Sequence, residues 1–302
     1  MIREALAGLA RNESIGGAIA RTPIARDAVA RLVAGEDVAD AVTTAALLAD
    51  DGYWTALERT TSPHPDVAEA TEAFDGYAAL VDAVAVAGLA ASCEVAVLPE
   101  SIGLALDPRS AGPRLRDLAM RAADADVDLR LGFGPQTDVE ASLGAARELW
   151  NAGLDVSITL PAARRATEAD CDALGDRRVR LVKGTATEES TGAYRQAAEI
   201  DKAFVRCARR LLRADGAPSF ATHDPRLVEI VESVAARTGR AVGSYEFTFF
   251  MGRQEGLARR LVESGHRVRV YAPYGPHWFE RLVAGLAEQP SGLAAAVRSL
   301  FP

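Results

Sequence analysis

The chain has 302 residues, 49% of them apolar, with a formal net charge of −8 and a pI near 5.2. That is enough apolar material for one large core or two ordinary ones, and the acidic balance, with no basic patch to offset phosphate repulsion, argues against a nucleic-acid partner. No apolar run approaches the ~18 residues of a membrane span, so no integral membrane segment is expected, and the opening MIREALAGLARNES carries charges where a secretory leader would be apolar, which makes the cytoplasm the expected location.

Residues 1–90 read as a helical arm: they are Ala-rich, with apolar residues at helical spacing and few β-branched runs. Ser62, Pro63 and Pro65 break the arm between two helical blocks. From about residue 91 to 302, short apolar runs alternate with longer amphipathic stretches. The runs are 93-CEVAVL-98, 127-VDLRLGF-133, 154-LDVSITL-160, 178-RVRLV-182, 218-PSFATH-223, 241-AVGSYEF-247 and 267-RVRVYA-272. Between them lie helix-like segments such as 138–153, 190–214 and 253–265, and 276–289 would close the last unit. Strand–helix alternation of this kind implies βαβ units and a parallel sheet. The fold class expected is therefore α/β, a (β/α)8 barrel of roughly 250 residues preceded by a helical piece, although the count falls one strand short of eight. An open doubly wound sheet competes, but no Gly-rich phosphate loop follows the first run.

Cys93, Cys171 and Cys207 are odd in number and in no metal-ligand spacing, so they read as packed thiols and no metal site is expected. Only two lysines occur, Lys183 and Lys202, against 32 arginines. A lysine that persists in so Arg-rich a chain hints that a guanidinium would not serve at its position.

Barrel chemistry belongs at the C-terminal ends of strands, and those ends supply Arg130, Lys183, Thr222, His223, Glu246, Tyr271 and Tyr274. His223, where an apolar run meets a Pro-containing turn, is either a hydrogen-bonded structural residue or a functional one. Lys183 either holds a phosphate or an electron-rich ring edge, or closes its strand as a solvated charge. Tyr271 and Tyr274 could pack on the rim, and Glu246 could be a salt-bridged structural carboxylate. None alone identifies a reaction.

Taken in order and spacing, RVRLVKG (178–184), FATHDPRLVEIV (220–231), YEFTFFMGR (245–253), VRVYAPYGPHW (268–278) and LAEQP (286–290) resemble the later strands and last helix of the proline dehydrogenase family. The likeness is to the monofunctional bacterial type, with this chain a divergent member. It is clear over roughly residues 150–302 and faint over 90–150. The resemblance implies a distorted (β/α)8 barrel that binds FAD at the strand C-termini and passes hydride from an amine C–H to flavin N5. It places Arg180 beside the flavin ring, with Lys183, Thr222, His223 and Glu246 as further cofactor-binding candidates, and makes Arg180, Tyr271 and Glu288 the catalytic candidates. A positive group beside the ring stabilises the anionic reduced flavin.

On the substrate side the resemblance fails. The arginine pair that clamps a proline carboxylate falls at Ala284 and Gly285, the KGAY tyrosine at Ala186, the lysine of the first run near Leu98 and an acidic residue of the second near Arg130. The glutamine that faces the flavin has no clear counterpart around Thr159–Ala162. Arg130 and Arg281 are the candidates to replace the lost positive charge. Three functions remain in play: a flavin-dependent oxidoreductase acting on a small amine or imino-acid-like substrate other than free L-proline, a non-catalytic barrel in which Leu98, Phe249 and Phe250 could fill the site, and an ordinary L-proline dehydrogenase. The electron acceptor is not readable.

Overall fold

The computed structural model describes residues 31–62, 65–134, 139–184 and 192–278. Eight parallel strands close into a barrel in sequence order: β1 (Trp54–Arg59), β2 (Cys93–Val97), β3 (Asp128–Leu131), β4 (Ser157–Pro161), β5 (Val179–Val182), β6 (Ser219–Ala221), β7 (Glu246–Phe250) and β8 (Arg267–Tyr274). The helices of the described residues are α1 (Val38–Asp50), α2 (Val67–Val86), α3 (Pro108–Asp124), α4 (Val139–Asn151), α5 (Thr167–Ala173), α6 (Ala197–Arg213), α7 (Pro225–Thr238) and α8 (Glu255–Glu263).

Two details of the sequence reading are corrected. The eighth strand lies inside the stretch read as a helical arm: Trp54–Arg59 pairs with β2 on one side and β8 on the other. WTALER contains good helix formers and almost no β-branched residues, so local propensity points the wrong way and tertiary pairing decides. The run at 241–247 begins too early, because 241–244 forms the turn before β7 and the strand starts at Glu246. Residues 1–30 and most of the 276–289 segment lie outside the described residues.

The helix boundaries follow local chemistry. Asp66 caps α2 by accepting from the Ala68 and Glu69 N–H groups, and Glu69 answers with a bond to the Asp66 N–H, a reciprocal capping box. Asp224 caps α7, Pro225 takes the first helical position, and Gly239 ends the helix in the left-handed region at φ 73°. The outward-facing residues of the strands, among them Leu57, Val95, Leu129, Leu181, Phe220 and Phe247, form one continuous core with the helices. Cys93, Cys171 and Cys207 are buried free thiols in it, as expected. Among the described residues no helix is long and apolar enough to cross a membrane, and no cluster of side chains is suited to a metal ion.

Candidate active site

Successive side chains of a strand point to opposite faces, so each strand gives every second residue to the lumen. Here those residues are charged to an unusual degree, whereas barrel interiors are ordinarily filled by branched apolar side chains. Arg180 on β5 donates from Nη2 to Glu94 Oε1 on β2 at 2.5 Å, a contact that can only be made across the lumen. Arg130 on β3 donates from Nε to both Glu94 oxygens, at 2.9 and 3.1 Å. On the far side Arg269 forms a two-pronged pair with Glu246, at 2.9 and 3.0 Å, and donates from Nη1 to the Thr55 carbonyl at 2.9 Å. Arg269 Nε also stands 3.6 Å from Glu94, and Arg180 Nη2 stands 3.6 Å from Glu246. Below, Arg267 and Arg269 lie over the Trp54 ring, 4.7 and 5.0 Å from its centre.

Burial alone would push the Glu94 carboxyl up, but Arg130, Arg180 and Arg269 outweigh it and hold it well below the usual carboxylate range. Glu246 shows the same contest, with Arg269 prevailing over burial. Burial and the adjacent Arg130 charge bring Arg180 down to about 10, which leaves it protonated at neutral pH. Three guanidiniums thus share two carboxylates in this layer, and the one with an open donor is Arg180. Its Nε has only a 3.4 Å contact to Ser219 Oγ, and its buried Nη1 has no partner.

Above this layer, at the C-terminal strand ends, the walls become aromatic. Tyr271 on β8 donates its hydroxyl to Glu58 on β1, and its ring centre is 6.0 Å from the Arg180 guanidinium carbon. Phe250, the last residue of β7, is 45% exposed at the mouth and packs edge-on against Tyr271 with ring centres 5.1 Å apart. His223 stacks on the other side of Phe250 at 5.7 Å, and its Nε2 accepts the Phe250 backbone N–H at 3.0 Å. That bond assigns the ring hydrogen to Nδ1. Burial, helped by the Arg253 charge, lowers His223 to about 4, so the imidazole is neutral.

The structure therefore brings Arg180, Arg130, Glu246, Tyr271 and His223 to one lumen and its mouth. Glu246 opens β7 instead of closing it, and it lies in the buried layer as the partner of Arg269. Arg130 is tied to Glu94 and is only 4% exposed. Lys183 follows β5 as expected but turns outward to Asp201 of α6, with Nζ 2.5 Å from Oδ1. Thr222 is buried, and its hydroxyl accepts the Asp224 N–H in the turn before α7. Tyr274 and Phe249 are core residues and do not line the rim. Ala186, Arg281, Ala284, Gly285 and Glu288 lie outside the described residues. Sequence reasoning missed Glu58, Glu94 and Arg269. Two of these carried a signal, since CEVAV and RVRVY place a charge at the inward positions of runs that are otherwise apolar. Glu58 was hidden with its strand.

A closed eight-stranded parallel barrel with a polar lumen and an aromatic mouth at the strand C-termini is a (β/α)8 barrel. The family model for proline dehydrogenase matches residues 41–280, and the chain belongs to that family of oxidoreductases. It is 28% identical over 278 residues to the proline dehydrogenase of Deinococcus radiodurans, covering 90% of this chain and 89% of that one. It is 24% identical over 273 residues to proline dehydrogenase 1 of Bacillus subtilis, covering 90% of each. Among solved structures, proline utilization A of Bdellovibrio bacteriovorus superposes with a TM-score of 0.80 at 19% identity, covering 88% of this chain and 33% of that one. The corresponding protein of Bradyrhizobium japonicum gives 0.72 at 22% identity, covering 91% and 32%. These last likenesses concern the fold, and the chain spans about a third of those longer proteins.

Proposed function

We propose that this chain is an FAD-dependent oxidoreductase that acts on a small amine other than free L-proline. The observation that carries the reading is Arg180: a protonated, buried guanidinium whose Nη1 has no acceptor, at the base of an aromatic mouth. A buried donor without a partner costs about 1–3 kcal/mol, and an electron-rich ring edge is an acceptor that would offset that cost. Arg180, Thr222 and the Nδ1–H of His223 are the residues that would hold the cofactor, with Tyr271 facing the substrate and Glu288, which lies outside the described residues, completing the catalytic set. Lys183 is not in this set, because it turns outward to Asp201. When bound, FAD supplies a two-electron acceptor for the hydride that leaves the amine α-carbon.

The chain's own residues set the conditions. The neutral amine must enter or form at the mouth, because the nitrogen lone pair becomes the second bond of the imine as the C–H bond breaks. The ammonium proton therefore leaves first, and it passes to solvent. The neutral His223 adds no positive charge that would oppose a cationic amine. The phenyl face of Phe250 and the ring of Tyr271 give an approaching amine an apolar wall.

Free L-proline is disfavoured because Ala284 and Gly285 stand where the carboxylate clamp is expected. Each charge-assisted bond lost there is worth ~1.5–3 kcal/mol. Arg130 does not make up the loss, since its Nε is held by Glu94. A second reading, a flavin-binding barrel without turnover, draws on the same inward commitments: Arg130 to Glu94, and the Tyr271 hydroxyl to Glu58. The test is the visible spectrum of the purified protein before and after addition of FAD, followed by anaerobic addition of a panel of cyclic and N-substituted amines. Flavin absorption that bleaches with one of them supports the enzyme. Flavin that no amine bleaches favours the second reading, and a colourless protein that takes up no FAD refutes both.

A further inference from the structure

Stability alone does not call for a charged lumen layer. Its five buried charges are at best neutral compared with well-packed apolar side chains, because desolvation offsets their attraction. Their arrangement is also lopsided. Glu94 is fully buried on β2 and takes bonds from Arg130 and Arg180 while Arg269 stands 3.6 Å away. Glu246 is occupied by the two-pronged bond from Arg269. Glu94 is therefore the counter-charge that Arg180 contacts at hydrogen-bond distance, and by binding Nη2 it fixes the plane of the guanidinium, leaving Nη1 unpartnered and the guanidinium carbon 6.0 Å from the Tyr271 ring centre.

We propose that Glu94 is a positioning residue: it orients Arg180 and sets the positive potential that this arginine presents at the barrel mouth, and so sets the reduction potential of a flavin held there. The inference rests on the FAD reading above. Two-electron reduction adds negative charge to the flavin ring, so a nearby cation favours the reduced state, and a carboxylate bound to that cation withholds part of the effect. The lumen is buried, where charges act on one another far more strongly than in water. Removing the Glu94 charge leaves three guanidiniums facing Glu246 alone in this layer and shifts the flavin toward reduction. Removing the Arg130 charge lets Glu94 neutralise Arg180 more completely and shifts it toward oxidation.

The experiment uses the full chain reconstituted with FAD, and measures the flavin midpoint potential by equilibration with a reference dye, with no substrate present. Wild type is compared with Glu94→Gln, Arg130→Met and the double variant. Glu94→Gln is expected to shift the oxidised–reduced equilibrium roughly tenfold toward the reduced form, about 30 mV upward for a two-electron couple. Arg130→Met is expected to move it in the opposite direction, and the double variant to return close to wild type. A residue that merely holds the barrel together would not give shifts of opposite sign that cancel. Unchanged potentials, or single variants that move the same way, overturn the proposal. If Glu94→Gln does not fold, Arg130→Met and the double variant still decide, since the first must lower the potential and the second must restore it. A wild-type chain that takes up no FAD fails at the earlier step, the flavin reading itself, and the absence of any potential to measure tells that failure apart from the others.

Discussion

Arg269→Met tests whether the lumen is held by paired charge. Arg269 is 3% exposed and makes three hydrogen bonds, two of them to Glu246 and one to the Thr55 carbonyl. Methionine keeps much of the stem volume and its contact with the Trp54 ring, so the main loss is the charge. Glu246 is then a buried carboxylate whose remaining cation, Arg180, is 3.6 Å away and already bound to Glu94. Breaking one partner of a buried pair costs about 3–5 kcal/mol, which in a chain of this size lowers the melting temperature by roughly 10 °C at ~2–4 °C per kcal/mol. The pH dependence carries a sign. In the wild type Arg269 holds the Glu246 carboxyl below its ordinary range, so the pair adds stability above that range and loses it as pH falls through the lowered value. In the variant burial and the nearby Glu94 charge outweigh the remaining pull of Arg180 and raise the carboxyl, so the destabilisation is greatest at neutral pH and shrinks toward about pH 4, where a protonated Glu246 leaves no bare charge. Thermal unfolding of Arg269→Met, Glu246→Met and the double variant between pH 4 and 8 forms a double-mutant cycle. The double variant should recover most of the loss. Single variants within about 1 kcal/mol of wild type at pH 7, or a double variant as unstable as the sum of the singles, would refute the reasoning.

The other predictions use separate parts of the molecule. His223, lowered to about 4 from an ordinary 6.5 by burial and the Arg253 charge, binds its proton more readily in the unfolded chain. Stability should therefore fall as pH drops from 6.5 toward 4, by at most about 3 kcal/mol, and His223→Gln should flatten that part of the unfolding profile. Gly216→Ala places a Cβ 2.3 Å from the Arg177 carbonyl oxygen and 2.5 Å from that of Gly175; overpacking of this kind costs about 1–3 kcal/mol, and the variant should melt several degrees lower. Phe204→Ala removes a fully buried ring that meets Phe220 edge-on at 6.4 Å and should cost about 3–5 kcal/mol in chemical denaturation. In a dye-coupled assay the wild-type chain should turn over L-proline poorly or not at all at millimolar concentration, and brisk turnover would show that groups other than the expected clamp hold the carboxylate.

Seven of the eight strands were legible because apolar runs separated by amphipathic helices leave few alternatives to a parallel barrel. The missing strand shows the limit of that signal. Trp54–Arg59 has the alternation of a strand, with Thr55 and Leu57 buried in the core and Glu58 facing Tyr271, but it is written in helix-forming residues beside two real helices. The site was legible in part. Arg180 lies within β5 and His223 just beyond β6, both in segments that the apolar runs mark. Glu246 was misplaced by one misjudged turn. Glu94 and Arg269 were passed over because a search directed at strand C-termini ignores the layer beneath, and only the closed barrel shows that β2, β3, β5 and β8 converge there.

That lower layer also bears on how the two halves of the site differ. The family resemblance leads one to expect a lysine near Leu98 and an acidic residue near Arg130, and the chain has neither. It does have the opposite arrangement within the same two strands: a cation at Arg130 and a carboxylate at Glu94, which sits in register with Asp128, two residues nearer the strand N-terminus. Either group without the other would be a buried charge lacking its partner, at about 3–5 kcal/mol. Arg130 and Arg269 are held by carboxylates, whereas Arg180 keeps Nη1 without a partner. Charge is therefore matched in the layer beneath the mouth, with Nη1 of Arg180 left as an open donor.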